Sequence, residues 1–356
     1  MSSATDAFGD YTRAVADCRT AVFAAREGLT PIDAADGERF VAALIEGSLR
    51  FVHQDPARPT FVPWTTAERR WMDNGRDSAY WIAAVDGRRR YRMHGRRGTE
   101  CYLSFTVYAG SPGHPESVAE NINHLDLGAA AGGAYTVEIA PPADACYVIA
   151  RQYYLDPDTD RPATMHIQAV GGPAPDEPGH DRLDAGWRAA AGFLDAMSQP
   201  RSGGGTRPRW VSTIPNVMGD PSAWSADHGG GRGTPDQVYA MGPYTLEEDE
   251  ALVVDVTFLP CAYAGVALWN RFSQTIDARL HRSTLNHRQA VVDADGVARV
   301  VVAHRDPGVP NWVDTGGRPR GSVYWRFLLA ERLPSPLRSQ VVRLADLPGS
   351  REGPAA

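Results

Sequence analysis

The spacing of apolar residues divides this chain into helical and strand-rich parts. Over the first sixty residues the apolar positions recur every three or four residues, which is typical of amphipathic helices. This spacing predicts one helix from Tyr11 to Arg26 and a second from about Ile32 to Val52. The same spacing predicts a later helix from Asp181 to Met197, with Asp181 as its N-cap.

From Pro59 onward apolar and polar positions alternate, and turns rich in Gly, Pro and Asp separate the runs. Two Asp-Gly turns each lie between strand-like runs. They predict β-hairpins from Tyr80 to His94 and from Val291 to Val302. Many short strands at regular intervals are typical of an antiparallel sandwich or barrel, and not of a parallel sheet.

We therefore predict a mainly β fold with accessory helices, built from two jelly-roll-like β-sandwich domains. The predicted order is N-terminal helices (1–60), a first sandwich (61–175), a helix and flexible linker (176–236), a second sandwich (237–347) and a disordered tail (348–356). The glycine runs at Ser202–Gly205 and His228–Gly233 favour a flexible connector and a mobile loop. The two halves are both rich in strands, but no repeat of fixed period is visible.

Composition excludes several classes of function. The chain contains no lysine, which excludes Schiff-base and pyridoxal chemistry as well as a Walker-type phosphate loop. Its net charge of -7 argues against a nucleic-acid partner. No stretch has the apolar length of a membrane span, so we expect a cytoplasmic protein without a membrane partner. The four cysteines are widely spaced, which predicts free thiols.

The fifteen residues from Ala303 to Gly317 carry the most concentrated chemistry. They follow an apolar run and contain two prolines, three glycines, two carboxylates, a histidine, an amide and a tryptophan. Such a segment must form a shaped loop at a strand end, and functional residues concentrate in such loops.

Several residues of the last third resemble the DUF1214 domain family. The resemblance rests on Trp269-Asn270, Gln274 with Asp277, Leu285-Asn286, Asp293-Ala294-Asp295-Gly296, Asp306-Pro307-Gly308, Pro310-Asn311-Trp312 and the run from Gly321 to Arg326. The run from Tyr239 to Leu252 is similar to the start of that domain, and the run from Asn74 to Tyr80 more loosely resembles a DUF1254-type region. The resemblance implies paired β-sandwiches with short helices and activity on a small molecule. It supplies no catalytic residues.

His304 and Asp306 are the predicted catalytic residues. If the strand continues there, the two side chains project to one face, and imidazole titrates near neutral pH. Together they would serve as general acid and base. The alternative is that Asp306 organises the turn at Pro307-Gly308 and that His304 is structural.

Seven further residues are predicted to bind the substrate. Asn311 would orient a carbonyl and Trp312 would form a pocket wall, unless they satisfy loop backbone groups and fill core. The others are Asp314, Asp277, His281, Tyr80 and Arg151. For Tyr80 and Arg151, structural pairing inside a sandwich is the alternative.

A metal site would need more histidines in a recognisable pattern. Asp277, His281 and His287, together with His304 and Asp306, offer suitable ligand types. Because no H-x-x-x-H or H-E-x-x-H motif is present, we predict no metal and no cofactor.

The predicted function is that of a cofactor-independent enzyme, a hydrolase, lyase or isomerase, acting by acid/base chemistry on a lipophilic or polycyclic small molecule. One alternative is a non-catalytic β-sandwich protein that binds carbohydrate or lipid. Another is a glycoside hydrolase that uses paired carboxylates among Asp277, Asp306 and Asp314. A homo-oligomer is compatible with each of these functions.

Overall fold

The structure is a computed structural model. It describes residues 6–24, 26–111, 114–174, 177, 179–199, 207–225 and 233–349. The predicted connector at 202–205, most of the glycine run at 228–233 and the last residues of the predicted tail lie outside the described residues.

The helices form one layer of the molecule. They are α1 (Ala7–Ala24), α2 (Pro31–Ser48), the short α3 (Arg50–His53) and α4 (His180–Ser198). Helix α2 begins with a capping box, in which Thr30 and Asp33 satisfy each other's backbone N–H groups. Helix α4 begins after Gly179, so the prediction that Asp181 caps it was wrong. None of the helices in the described ranges is long and apolar enough to cross a membrane.

The first sandwich consists of a five-stranded and a three-stranded antiparallel sheet. The five-stranded sheet has the order β1 (Val62–Pro63), β2 (Ser78–Ala84), β7 (Ala145–Tyr153), β4 (Tyr102–Ser111), β5 (His114–Asn123). The three-stranded sheet has the order β6 (Ala134–Ile139), β3 (Arg90–Arg96), β8 (Thr164–Gly171). Apolar residues of the two facing surfaces, such as Met93, Phe105 and Val148, form the core of this sandwich.

The second sandwich has a five-stranded and a four-stranded sheet. The five-stranded sheet has the order β13 (Thr284–Asn286), β12 (Tyr263–Trp269), β16 (Arg320–Leu328), β10 (Gln237–Thr245), β9 (Ser222–Ala223). The four-stranded sheet has the order β15 (Trp312–Asp314), β14 (Ala298–Ala303), β11 (Glu250–Val256), β17 (Arg338–Arg343). Strand β15 runs parallel to β14, and all other neighbours are antiparallel. The prediction of a mainly β fold with accessory helices and two sandwiches is confirmed.

The two sandwiches share one topology. Read from its other edge, the second five-stranded sheet has the order β9-β10-β16-β12-β13, which matches β1-β2-β7-β4-β5 strand for strand. The order β14-β11-β17 likewise matches β6-β3-β8, with β15 added at one edge. The two β-rich halves of the sequence are therefore a structural repeat, although its period is not visible in the residues.

Neither predicted hairpin forms. Strand β2 pairs with β1 and β7, while β3 pairs with β6 and β8, so the turn at Asp86-Gly87 carries the chain from one sheet to the other. The turn at Asp293-Gly296 does close, but Val291 and Val292 before it are exposed and lie outside any strand. A local Asp-Gly signal predicts a turn, whereas the packing of the sandwich decides which strands pair.

The outer faces of the two five-stranded sheets pack against each other. Strand β7 is buried along its whole length because its two faces have different partners. Val148 and Ala150 point into the first sandwich, whereas Ile149 and Tyr153 lie on the opposite face, where Tyr153 meets Tyr263 of the second sandwich. We call the space between these two outer faces the inter-sandwich layer.

Candidate functional site

The residues predicted to be catalytic make separate contacts. Nδ1 of His304 lies 2.5 Å from Thr315 Oγ1, and Nε2 lies 3.2 Å from the carbonyl oxygen of Leu246. Asp306 is exposed, and its carboxylate accepts a 2.8 Å hydrogen bond from the Gly308 N–H. These contacts correspond to the turn-organising alternative, and no hydrogen bond joins His304 to Asp306. A catalytic role for either residue stays a prediction.

Asn311 and Trp312 hold the loop together. Asn311 has a left-handed backbone, with φ of 60°, and its amide both accepts from the N–H and donates to the carbonyl of Val291, at 2.8 and 2.7 Å. The indole N–H of Trp312 donates to the Ala303 carbonyl, and its ring packs beside Val253 and other buried residues. Asn311 therefore satisfies backbone groups of the loop and Trp312 packs in the core, which is the alternative interpretation given above for these two residues.

Asp277 and His281 point to different partners. Hydrogen bonds from Arg279, together with the nearby charge of Arg70, lower the pKa of Asp277 to about 2. His281 instead places Nδ1 2.8 Å from a carboxylate oxygen of Asp314. The structure thus brings together His281 and Asp314, which were predicted separately.

The other residues considered as metal ligands do not join them. His287 accepts a hydrogen bond from the backbone N–H of Ala264 through Nδ1. Across the described ranges, no three His, Cys, Asp or Glu side chains meet as a metal ion would require.

The two remaining predicted residues, Tyr80 and Arg151, lie in the inter-sandwich layer. They are cross-strand partners on β2 and β7. The Arg151 guanidinium lies 5.5 Å from the centre of the Tyr80 ring and donates to Thr106 Oγ1 at 2.7 Å and to the Tyr108 hydroxyl at 2.5 Å. Both side chains are therefore buried between the two sandwiches, a position that the sequence pattern does not reveal.

Asp77 is the centre of a buried hydrogen-bond cluster. Its carboxylate accepts from the Tyr263 hydroxyl at 2.8 Å and from the Asn286 amide at 3.1 Å. Asn74 donates to the same Tyr263 oxygen at 3.0 Å. We call these four residues the Asp77 cluster. Burial raises the pKa of Asp77 to about 6 because desolvation disfavours the ionised carboxylate more than these hydrogen bonds stabilise it.

Arg326 connects the Asp77 cluster to the rest of the layer. It is only 5% exposed, and its Nη1 donates to Asn74 and to the Tyr80 hydroxyl. Nη2 donates to the carbonyl of Met72, whose backbone is left-handed with φ of 54°. Burial works against the charge, but the surrounding phenols, Tyr153 foremost, outweigh it and raise the pKa of Arg326. Arg326 therefore stays charged.

Among the described residues no carboxylate contacts Arg326, although the buried carboxyl group of Asp73 lies close enough to interact with its charge. No Asp or Glu oxygen of the described chain lies within ion-pair distance of it, and its Nε is buried without a hydrogen-bond partner there. A buried cation without a hydrogen-bonded counterion costs several kcal/mol. This arrangement is expected where a bound anion completes the site.

Aromatic rings surround the same guanidinium. It lies 4.7 Å from the centre of the Tyr324 ring and 5.7 Å from that of Trp269. Trp269 and Tyr324 are themselves stacked at 3.9 Å. Tyr239 and the half-buried Trp210 extend the same surface, with ring centres 5.2 Å apart. We call these four rings the aromatic surface of the site.

The topological repeat extends to the polar residues of the layer. Asp77 directly precedes β2, and Asp236 directly precedes the equivalent strand β10. Asp236 accepts from Tyr102 at 2.7 Å and from Asn123 at 3.1 Å. Tyr102 begins β4 just as Tyr263 begins β12, and each tyrosine donates to the aspartate of the other sandwich. The two clusters are thus related by an approximate two-fold axis through the layer.

The arginines follow the same relationship, but their surroundings differ. Arg151 faces Tyr80 across β2 and β7, and Arg326 faces Tyr239 across β10 and β16. Three residues before Asp77 stands Asn74, which binds Arg326, whereas Gly233 occupies the matching place before Asp236. The Asn74 amide thus joins the Asp77 cluster directly to Arg326, whereas the Asp236 cluster reaches Arg151 by a longer route through Asn121 and Thr106. The direct connection makes the Asp77 cluster the better candidate for chemistry.

Sequence reasoning missed Asn74, Tyr263, Arg326 and the aromatic surface as parts of one site. Two signals could have pointed to it. Arg326 interrupts a run of apolar residues in a strand, and charged residues are rarely buried without a reason. The dipeptide Asn-His occurs at 123–124 and again at 286–287, at equivalent strand ends.

The raised pKa of Asp77 predicts a stability change with pH. Between about pH 4 and 6 the folded protein keeps a proton that the unfolded chain releases, so stability falls as pH rises through this window. The replacement Asp77→Asn cannot ionise. Its free energy of unfolding, relative to the original protein, should rise by roughly 2–3 kcal/mol from pH 4 to 7.

Urea unfolding at several pH values measures this difference. Asp306→Asn, which changes an exposed carboxylate, is the control. Parallel stability curves for Asp77→Asn and the original protein would show that Asp77 has an ordinary pKa.

The comparisons with known proteins support the fold. No protein-family model matches the chain, and no curated protein matches it in sequence. The chain is similar to an uncharacterized protein from Burkholderia cenocepacia, whose crystal structure has a TM-score of 0.84 at 27% identity, covering 96% of this chain and 98% of that one. VPA0106 from Vibrio parahaemolyticus gives a TM-score of 0.48 at 11% identity, over 93% and 100% of the two chains. Neither of these names assigns an activity.

Proposed function

We propose that this protein is a cofactor-independent acid/base enzyme that binds an anionic small molecule with a flat, lipophilic ring in the inter-sandwich layer. The observation that carries the proposal is the buried Arg326 guanidinium, which no carboxylate of the described residues contacts and whose Nε has no hydrogen-bond partner there. A carboxylate on the ligand would supply the missing charge and accept hydrogen bonds from the guanidinium.

The aromatic surface supports a flat ring on the ligand. Trp269 and Tyr324 already stack on each other and on Arg326, so this region favours planar groups. Trp210 is half-buried at the edge of the sheet, where a ring could replace its contact with Tyr239. The ligand class agrees with the lipophilic substrate expected from the sequence, with an anionic group added.

Asp77 supports proton transfer. A carboxyl group with a pKa near 6 can accept and return a proton at physiological pH. Asp77 is buried behind Tyr263, so the proton would pass in two linked steps. The Tyr263 oxygen accepts a proton from the ligand while its own proton moves to Asp77, and the reverse transfer restores both groups.

Binding without chemistry is the second candidate function. It is favoured by the position of Asp77, which is 1% exposed and reaches a ligand only through Tyr263. The two functions agree on the ligand and differ on proton exchange, so one experiment can separate them.

Binding is tested with 1-naphthoate, its neutral counterpart 1-naphthamide, and cyclohexanecarboxylate, which has the charge but no flat ring. Calorimetry should detect 1-naphthoate and give affinities at least tenfold weaker for the other two. Arg326→Gln should weaken 1-naphthoate binding at least tenfold, because it removes the charge. Arg320→Gln, on the same strand and exposed, is the matched control and should bind normally. Equal binding of the acid and the amide, or an unchanged Arg326→Gln, contradicts the proposal.

Proton transfer is tested with benzoylacetate, which combines a ring, a carboxylate and acidic methylene protons. In D₂O the protein should accelerate exchange of these protons above the buffer rate, as NMR measures directly. Asp77→Asn should lose the acceleration and retain binding. Binding without acceleration in the original protein would favour the non-catalytic function.

A further inference from the structure

A groove separate from the inter-sandwich layer lies between the helices and the first sandwich. It has a volume of about 230 Å³ and is bordered by α3, the first half of α4 and the ends of β2 and β7. A smaller cavity of about 90 Å³ adjoins it and shares Gln54 and Ala84 with it. We call the two together the helix groove.

Two buried donors in the helix groove lack partners. Nε2 of Gln54, directly after α3, and Nε of Arg182, in the first turn of α4, have no hydrogen-bond partner among the described residues. Both residues line the larger cavity. A buried donor without an acceptor costs about 1–3 kcal/mol. Two such N–H groups at one cavity are therefore placed to be satisfied by a ligand that carries oxygen acceptors.

The charges around the groove favour an anion. Its lining includes three arginines (Arg58, Arg88 and Arg182) and two aspartates (Asp55 and Asp86), which leaves a formal charge of +1. Although burial works against it, the Ala57 N–H and the arginines beside Asp55 hold the pKa of that carboxyl below its ordinary value. Asp55 is therefore ionised near neutral pH, and its negative charge is already counted in the formal charge of +1.

The rest of the lining is apolar. Phe51, Val85, Ala185 and Ala189 offer hydrocarbon surface to the larger cavity. Burial raises the pKa of the Cys146 thiol to about 12, so it adds no charge. The larger cavity is many times the minimum volume that one water molecule needs, so it has room for a small organic molecule.

We propose that the helix groove is a binding site for a small aliphatic monocarboxylate. The carboxylate accepts hydrogen bonds from Gln54 Nε2 and Arg182 Nε, and the hydrocarbon chain lies against Phe51 and the small residues of α4. This ligand needs no flat ring and uses neither Arg326 nor Asp77, so the site is independent of the proposed function of the inter-sandwich layer.

The test uses octanoate and its neutral counterpart octanamide, with binding measured by calorimetry. Octanoate should bind to the full chain, and octanamide should bind at least tenfold more weakly. Gln54→Leu removes one donor at nearly constant volume and should weaken octanoate binding at least fivefold. Arg182→Met should weaken it at least tenfold. Arg188→Met is the matched control, because Arg188 lies on the same helix and pairs with Asp184 at the surface.

A second variant keeps the proposal testable if the loss of Arg182 disturbs folding. Ala189→Trp leaves every polar group in place but fills the cavity, and it should abolish octanoate binding. Arg326→Gln should leave octanoate binding unchanged, which separates this site from the inter-sandwich layer. Absence of octanoate binding to the original protein, equal binding of octanamide, or normal binding to Ala189→Trp would overturn the proposal.

Discussion

Replacing Arg318 by methionine is expected to lower the free energy of unfolding by about 3–5 kcal/mol. Arg318 joins the second sandwich to helix α2 through a two-pronged ion pair with Asp36, with contacts of 2.6 Å from Nε and 2.9 Å from Nη2. The side chains are 8% and 2% exposed. Without Arg318, the Asp36 carboxylate stays buried with only the more distant and exposed Arg39 beside it. The loss of stability arises because the charge of Asp36 would stay buried without its main partner.

Chemical unfolding of three variants tests this explanation. The double variant Asp36→Leu with Arg318→Met removes both charges and should recover most of the lost stability, because a buried pair can be replaced by apolar groups. Arg39→Met removes the exposed partner and should cost less than about 1 kcal/mol. If Arg318→Met costs no more than Arg39→Met, the ion pair does not hold the helical layer to the second sandwich.

Replacing Gly265 by alanine is expected to disrupt the candidate site and to lower stability by about 2–4 kcal/mol. A Cβ atom at this position would lie 2.3 Å from the Tyr263 hydroxyl and 2.7 Å from the adjacent ring carbon. Tyr263 is fully buried and its ring is rigid, so it would have to move. It would then lose its hydrogen bonds with Asp77 and Asn74.

A double-mutant cycle tests this steric cause. Tyr263→Phe alone should be destabilising, because it leaves two buried partners unsatisfied. In the combination with Gly265→Ala the two costs should overlap, since both remove the same hydrogen bonds. Gly171→Ala is the control, because a Cβ atom there meets no other heavy atom closer than 4.0 Å. Strict additivity of the two changes would show that Gly265 does not act through Tyr263.

The local parts of the fold were predictable because their causes are local. The apolar spacing of α1 and α2 is visible within each segment, and the observed helices overlap the predicted ones. The alternation of apolar and polar residues likewise predicted the strands, and their number and spacing predicted sandwiches. The cysteines Cys18, Cys101, Cys146 and Cys261 are free, as their spacing predicted.

The candidate site was predictable only in part. Tyr80 and Arg151 were predicted to bind a substrate, and they lie in the inter-sandwich layer that we propose as the site. The loop around His304 was predicted to hold the catalytic residues because it has many polar residues in a short segment. In the structure those residues largely satisfy one another and the loop backbone. Density of polar residues in a sequence therefore does not distinguish a site from a well-organised turn.

The sequence by itself determined the helices, the strands and the sandwich class, because each depends on a repeating pattern of neighbouring residues. Only the tertiary structure decided which strands pair and which residues share the layer. Tyr263 meets Asp77 across 186 positions, and Asn286 meets the same carboxylate across 209. The physical reason is that burial and long-range contacts set the surroundings of Arg326 and the pKa of Asp77, and the residues next to them in the sequence determine neither.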